Sequence, residues 1–451
     1  MNSQRTARNA GLALAILMTL LLGSWSAAHA QTSSVPEPVP PAAAQGAGGH
    51  LDPAAATEAY LATLSPADRA RSDAYFEGGY WLQLWGLLYG LGVCWLWLKS
   101  GLAVRLRNWA ERLFPTRPWL QTAAFAPPFL VLGALFSFPL DVYQGYFREH
   151  QYGLSNQTFA AWLGDNLKGL GVSLILGTLA IVGIYRVFRA APRSWWIWGT
   201  VVSVVFLMFV ALIAPVFIAP LFNKYTRLEN PKIAGPILSM ARANEVPVKD
   251  VWVMDASRQS KRISANVSGF GNTMRITLND NLLARCSVGE IKAVMGHELG
   301  HYVMNHIYKA VLAFALVIAF GFAFLAWSFE RVRSRWAANR GVRSLADPAG
   351  LPLLGAIFSV FFFFMTPVTN TIIRVNEAEA DAFGLNAARE PDGFASTALK
   401  LSEYRKLSPT PLEEILFYDH PSGRNRILRA MTWKAEHLDE LAARDSANSA
   451  P

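Results

Sequence analysis

Six stretches of this chain, each about as long as a bilayer's apolar core is thick, leave it few possible folds. They run from Tyr80 to Leu98, Thr122 to Leu140, Leu167 to Tyr185, Trp195 to Phe217, Ile307 to Phe329 and Leu351 to Ile373. A helix crosses hydrocarbon with about 20 apolar residues. No water is available there to satisfy a free N–H or C=O, so runs of this length predict helices. Composition agrees: of 451 residues, 52% are hydrophobic and 16% charged, where soluble domains carry about 25% charged residues. A net charge of +9 would suit nucleic acid, but much of the Lys and Arg falls in short loops between apolar runs. That is membrane topology, and no nucleic-acid partner is expected. Trp195, Trp196 and Trp198 read as interfacial anchors opening the fourth run.

Loop charge also sets an orientation. The loop after the first run holds Lys99, Arg105, Arg107, Arg112 and Arg117; that after the third holds Arg186, Arg189 and Arg193; that after the fifth holds Arg331, Arg333, Arg335, Arg340 and Arg343. The intervening loop at 141–166 has only Arg148. The three basic loops are therefore expected in the cytoplasm, and the segment between the fourth and fifth runs on the opposite side with the C-terminal region. Residues 1–30 carry Arg5 and Arg8, an apolar run from Ala10 to Leu22, and Ala28-His29-Ala30. This is the form of a secretory signal peptide with an A-x-A cleavage site, or of a retained first transmembrane helix. Six or seven spans follow, in what reads as a bacterial inner membrane with the soluble face periplasmic. Residues 31–79 read as a linker and pre-membrane segment, disordered over 31–55 where Pro, Ala, Gln and Gly dominate, and 440–451 as a disordered tail. Cys94 and Cys286 lack metal-site spacing and read as unpaired packing residues.

The chemistry lies in the two soluble segments. Over 223–306 the sequence predicts a helix from Pro231 to Ala243, a strand from Val248 to Met254, and a hairpin from Ser264 to Leu278 turning at Gly271-Asn272. Ser287 followed by Glu290 is a capping box that starts another helix. On it His297 and His301 lie one turn apart, so two imidazole nitrogens on one face can take a single zinc ion, with Glu298 beside them to work on water. This is the His-Glu-x-x-His pattern of zinc peptidases. The helix runs almost directly into the fifth span, which puts the ion close to the membrane surface. Two histidines leave a catalytic zinc one protein ligand short. After the sixth run, Glu377 and Asp381 are four apart, so one can bind metal while the other orients a ligand histidine. Glu379 lies round the helix from Glu377 and is the less suited ligand.

His297-Glu-Leu-Gly-His301 with Glu377-Ala-Glu-Ala-Asp381 resembles the M48 metallopeptidases, specifically the Ste24 type, the multi-spanning CAAX prenyl proteases. Phe136-Ser-Phe-Pro-Leu-Asp-Val-Tyr, Tyr152-Gly-Leu-Ser-Asn-Gln-Thr, Ser268-Gly-Phe-Gly271, Arg275-Ile-Thr-Leu-Asn-Asp280 and His420-Pro-Ser-Gly-Arg-Asn-Arg426-Ile fit the same family, over roughly residues 70–435. The resemblance implies one zinc ion per chain on His297, His301 and Glu377, Glu298 as general base, His420 as oxyanion donor, Arg426 supporting the site and Asp381 behind a ligand. His306 fits the family pattern too. Nine residues from His297 on a continuous helix, it falls near the opposite face and is not counted as a ligand. The family's edge strand, which holds peptide, usually reads Asn-Ala before the Gly-Phe-Gly; here it reads Ser264-Ala265-Asn266. The eukaryotic enzymes act on the cytosolic side, whereas the loop charges here place the site outside.

The expected protein is thus mainly α: a polytopic helical membrane protein with a zincin-like α+β catalytic subdomain split around a transmembrane hairpin. Four membrane helices occupy 80–222, the hairpin 307–373, and the catalytic segments 223–306 and 374–439. It is expected to hydrolyse peptide bonds in protein substrates by zinc-activated water. A non-catalytic scaffold or transporter with structural zinc is the rival, but structural sites are usually closed by four ligands rich in cysteine. The resemblance implies prenylated CAAX peptides as substrates. A bacterial signal peptide implies a cell without prenylation, where misfolded membrane or envelope proteins are the expected targets.

Overall fold

The computed structural model describes residues 51–269 and 274–449. The N-terminal run at 1–30 and the Gly271-Asn272 turn lie outside the described residues. Among the described residues, six helices are long and apolar enough to cross a membrane: Pro66–Lys99, Pro118–Gln151, Phe159–Ala190, Trp195–Leu221, His306–Trp336 and Pro348–Ala388. Each contains one of the expected runs and extends past it, because helix continues into the polar segments. Their outer faces are apolar, with Phe364 71% and Phe320 66% exposed. A water-soluble protein would bury such rings, and a bilayer solvates them. Between the spans Trp97, Phe125, Phe129, Tyr185 and Phe322 form a tight aromatic core.

Loops assigned to the same side do meet. Arg107 of the first basic loop pairs with Asp347 beyond the third at 2.6 Å, both buried, and also donates to the Gly341 carbonyl. On the opposite face Arg262 pairs with Glu149 at 3.0 Å and donates to Tyr75, which joins the first two spans to the catalytic subdomain. Arg148, the one basic residue of the expected outer loop, is buried there over the Tyr75 ring.

The subdomain after the fourth span holds a four-stranded sheet in the order β1-β2-β4-β3. The strands are β1 Tyr225–Arg227, β2 Val251–Met254, β3 Ala265–Ser268 and β4 Arg275–Asn279. β4 runs parallel to β2 and antiparallel to β3. The helix Pro231–Ala243 forms as expected, and β1, only three residues long, has no periodicity to reveal it. The sheet packs on the helix Val288–Val303, called here the motif helix, through Ile276, Leu278, Ile291, Met295 and Leu299.

Two expectations are corrected. The linker and pre-membrane segment of 31–79 is helical from Pro53: Asp52 caps Pro53–Ala62, whose Tyr60 and Leu61 are buried against Phe394, Ile427 and Met431. The tail at 440–451, expected without structure, is helical through Ser449, with Glu440 paired to Arg389. Both segments look like linkers in composition, and apolar or ionic contacts to the C-terminal helices order them. Neither Cys94 nor Cys286 is in a disulfide, as expected.

Candidate active site

The motif helix begins at Ser287, whose hydroxyl accepts from the Glu290 N–H while the Glu290 carboxylate accepts from the Ser287 N–H, the expected capping box. Glu290 is buried and also bound by Lys400 at 2.7 Å, which fixes the start of the helix against the C-terminal segment. Further along, the motif helix crosses the end of the sixth span at backbone contact. A β-carbon at Gly384 would stand 2.7 Å from the His297 nitrogen, and one at Gly296 would stand 2.8 Å from the Gly384 carbonyl oxygen. Only glycine permits this approach, and it sets the two halves of the site side by side.

There His297, His301 and Glu377 converge. His297 Nε2 lies 3.2 Å from His301 Nε2 and 3.2 Å from Glu377 Oε2, and His301 Nε2 lies 3.6 Å from Glu377 Oε1. All three residues offer ligand atoms within 4.8 Å of one another. Atoms bound at about 2.0–2.1 Å to a tetrahedral ion stand about 3.3 Å apart, so these spacings fit a metal. Glu377 Oε2 supports the same reading. It is sealed from solvent with no hydrogen-bond partner among the described residues, although His297 and His420 Nε2 lie 3.2 and 3.0 Å away without the alignment of a hydrogen bond. A buried carboxylate oxygen needs such a partner, and a cation between the ligands would supply it.

The other expected residues arrive in place. Asp381, fully buried, accepts from His297 Nδ1 at 2.8 Å and is gripped by Arg426 through Nε at 3.0 Å and Nη2 at 2.6 Å. Its acceptance leaves the lone pair of His297 on Nε2, facing the cradle. Glu298 makes no hydrogen bond or ion pair with the described residues, and burial pushes its carboxyl up to about 7. Burial also opposes charge on both histidines. At His297 the Asp381 and Glu377 carboxylates overcome it and raise the ring to about 10, so metal entry there competes with a proton. At His301 burial, reinforced by His297, lowers the ring to about 3. His420 reaches the cradle edge through Nε2, and its Nδ1 lies 2.8 Å from Asp419. Against its own burial, Asp419 is held well below the usual carboxylate range by His420.

Ser264, Ala265 and Asn266 lie at the start of β3, which is an edge strand bonded only to β4 within the sheet. The strand proper begins at Ala265, and Ser264 extends it by accepting from Asn279 N at 2.9 Å. Asn266 Oδ1 is buried without a partner among the described residues.

Sequence reasoning missed three participants. His306 lies outside the cradle, yet beside one of its histidines: its Nδ1 is 2.9 Å from His301 Nδ1. Glu379, set aside as a ligand, is bound to His306 Nε2 at 3.0 Å and to Lys309. Asp419 was not singled out either, although its place next to His420 was a usable signal.

Comparison with known proteins identifies the family. Residues 53–224 match the CAAX prenyl protease N-terminal family, described as five membrane helices, and residues 227–434 match peptidase family M48. Four of the six spans fall within the first match. The uncharacterized metalloprotease YhfN of Bacillus subtilis is 30% identical over 369 residues, 81% of this chain and 86% of that protein. CAAX prenyl protease 1 of Saccharomyces cerevisiae is 28% identical over 325 residues, 68% of this chain and 71% of that protein. The crystal structure of S. mikatae Ste24p shares the fold, with a TM-score of 0.67 at 23% identity over 82% of this chain and 89% of that one. A split His-His-Glu cradle at the end of a membrane hairpin, set in a chain with these relatives, leads to one conclusion: this protein belongs to the M48 peptidases and is a membrane-embedded metalloendopeptidase of the Ste24/CAAX prenyl protease type.

Proposed function

We propose that the cradle holds one zinc ion through His297 Nε2, His301 Nε2 and Glu377, and that Glu298 is the general base of peptide hydrolysis. The observation that carries this is the convergence of three metal-binding groups beside a carboxylate with no partner among the described residues. Zinc supplies a Lewis acid that acidifies water and polarises a carbonyl. Glu298, raised toward neutrality by burial, takes the proton of the attacking water and returns it to the leaving amine. His420, which reaches the cradle edge through Nε2, is the hydrogen-bond donor to the oxyanion, and Arg426 acts at one remove by holding Asp381 against His297. Edge strand β3, entered through Ser264, Ala265 and Asn266, binds the substrate as an added strand. Glu298→Gln tests the mechanism: metal analysis should find zinc at full stoichiometry while the rate falls on the order of 100-fold or more. Undiminished proteolysis by the variant would refute it.

The catalytic face points outward, to the periplasm. The loops on the far face carry five, three and five basic residues. On the catalytic face the short loop at 141–166 carries only Arg148, and long segments such as 223–306 cross largely regardless of their charge. The substrates are then unfolded membrane or envelope proteins, and Glu298→Gln should retain them in a pull-down. A cysteine at Ser446 in a Cys-free background should react with an impermeant thiol reagent from outside. Labelling confined to the cytoplasmic side would reverse the assignment.

A further inference from the structure

To ligate through Nε2, His301 must carry its hydrogen on Nδ1. The structure puts a second imidazole in position to demand that. His306 is 4% exposed, and its Nδ1 stands 2.9 Å from His301 Nδ1 while its Nε2 stands 3.0 Å from Glu379 Oε2. Glu379 is ion-paired to Lys309, and an ionised carboxylate only accepts. The proton positions then follow in order. His306 donates from Nε2 to Glu379, its Nδ1 is left with a lone pair, His301 Nδ1 donates to that lone pair, and His301 Nε2 presents its own to the cradle. The backbone makes this contact possible: the motif helix stops at Val303, Asn305 takes φ 57°, and the fifth span starts afresh at His306. Asn is among the few side chains that tolerate that region.

We propose that His306, anchored by Glu379, is a positioning residue that fixes the tautomer and ring orientation of His301, as Asp381 does for His297. The inference rests on the zinc reading above, and its test separates the two. Full-length protein in detergent is titrated with zinc against a chromophoric chelator, and with cobalt to record the absorption of the bound ion. His306→Leu keeps the bulk and removes the acceptor, so zinc affinity should fall roughly 10- to 100-fold and the cobalt bands should shift. His306→Asn returns an acceptor oxygen near the Nδ1 position and should restore affinity to within about threefold, with wild-type bands. Equal loss in both variants would mean that the ring only packs, and wild-type affinity in His306→Leu would mean that it does nothing for the metal. Either result overturns the proposal. If His306→Leu does not fold, Glu379→Ala, which leaves the ring in place, should still weaken zinc several-fold, and an unchanged affinity would count against the relay. Failure of the zinc reading looks different: the wild type itself would bind no zinc, and His297→Ala would change nothing.

Discussion

His297 and His301 sit one turn apart on one helix and offer the same nitrogen, yet their supports differ. Behind His297 stands Asp381, with no exposed side-chain surface, locked by two hydrogen bonds from Arg426. Behind His301 stands a second imidazole, and behind that Glu379, 36% exposed and paired to Lys309 at 45%. Attraction between charges is strong where solvent is excluded and screened where it is not. One histidine is therefore held by a buried ionic clamp and the other by a second imidazole that leans on an ion pair at the solvent edge. The first arm is the rigid anchor of the site, and the second can yield.

Variants can break or sharpen this contrast. Glu377→Ala removes the ligand the two arms share, so metal analysis should find the purified protein nearly empty; a full equivalent of zinc would show that the arms hold the ion without it. Gly384→Val acts on the anchor by separating helices, since its first added carbon already meets the His297 backbone at 2.7 Å. It should lower the thermal midpoint and empty the site, whereas Gly300→Ala, whose added carbon stands 3.1 Å from the Phe383 ring and 3.2 Å from the Ala380 backbone, should be milder because each gap is wider. Equal tolerance at both positions would refute the close crossing. Asp381→Ala should weaken zinc roughly 10- to 100-fold and cost about 3–5 kcal/mol of stability, because Arg426 is left buried without its partner. Glu379→Ala should keep full stoichiometry and lose affinity only several-fold. Raising the salt concentration should erase that last difference between Glu379→Ala and wild type, yet leave the Asp381 effect standing, since exposed pairs are screened and buried ones are not. Equal salt sensitivity of the two would remove the distinction between the arms.

Much of the site was legible because its signals are local. A spacing of four places two side chains on one helix face, and that rule found His297 with His301 and Glu377 with Asp381. The six spans were legible because hydrocarbon imposes a length. His306 was misread because helical arithmetic assumes an unbroken helix, and the positive φ at Asn305 resets the count. Glu379, set aside as a ligand, faces away from the cradle and toward a residue that the break brings back, a partner that spacing along its own helix could not reveal. The helix Pro53–Ala62 was hidden because its mixture of Pro and Ala looks like linker, and only the distant Phe394 and Ile427 give it something to bury against. The glycines at 296 and 384 carried a signal that no single helix can display, since their meaning lies in the crossing.

The site is divided by the transmembrane hairpin, and a ribosome makes its parts in a fixed order. His297, Glu298 and His301 are complete while the fifth and sixth spans are still to come, and Glu377 arrives only at the end of the sixth. A nascent chain stalled between them owns Glu298 and the two histidines but no full cradle. With the proposed ligand set, assembly of the last hairpin is the step that arms the protease, and a half-inserted chain is expected to cut neither itself nor its neighbours. Chains truncated before residue 377 should bind no stoichiometric zinc, and metal retention by such a fragment would contradict this order.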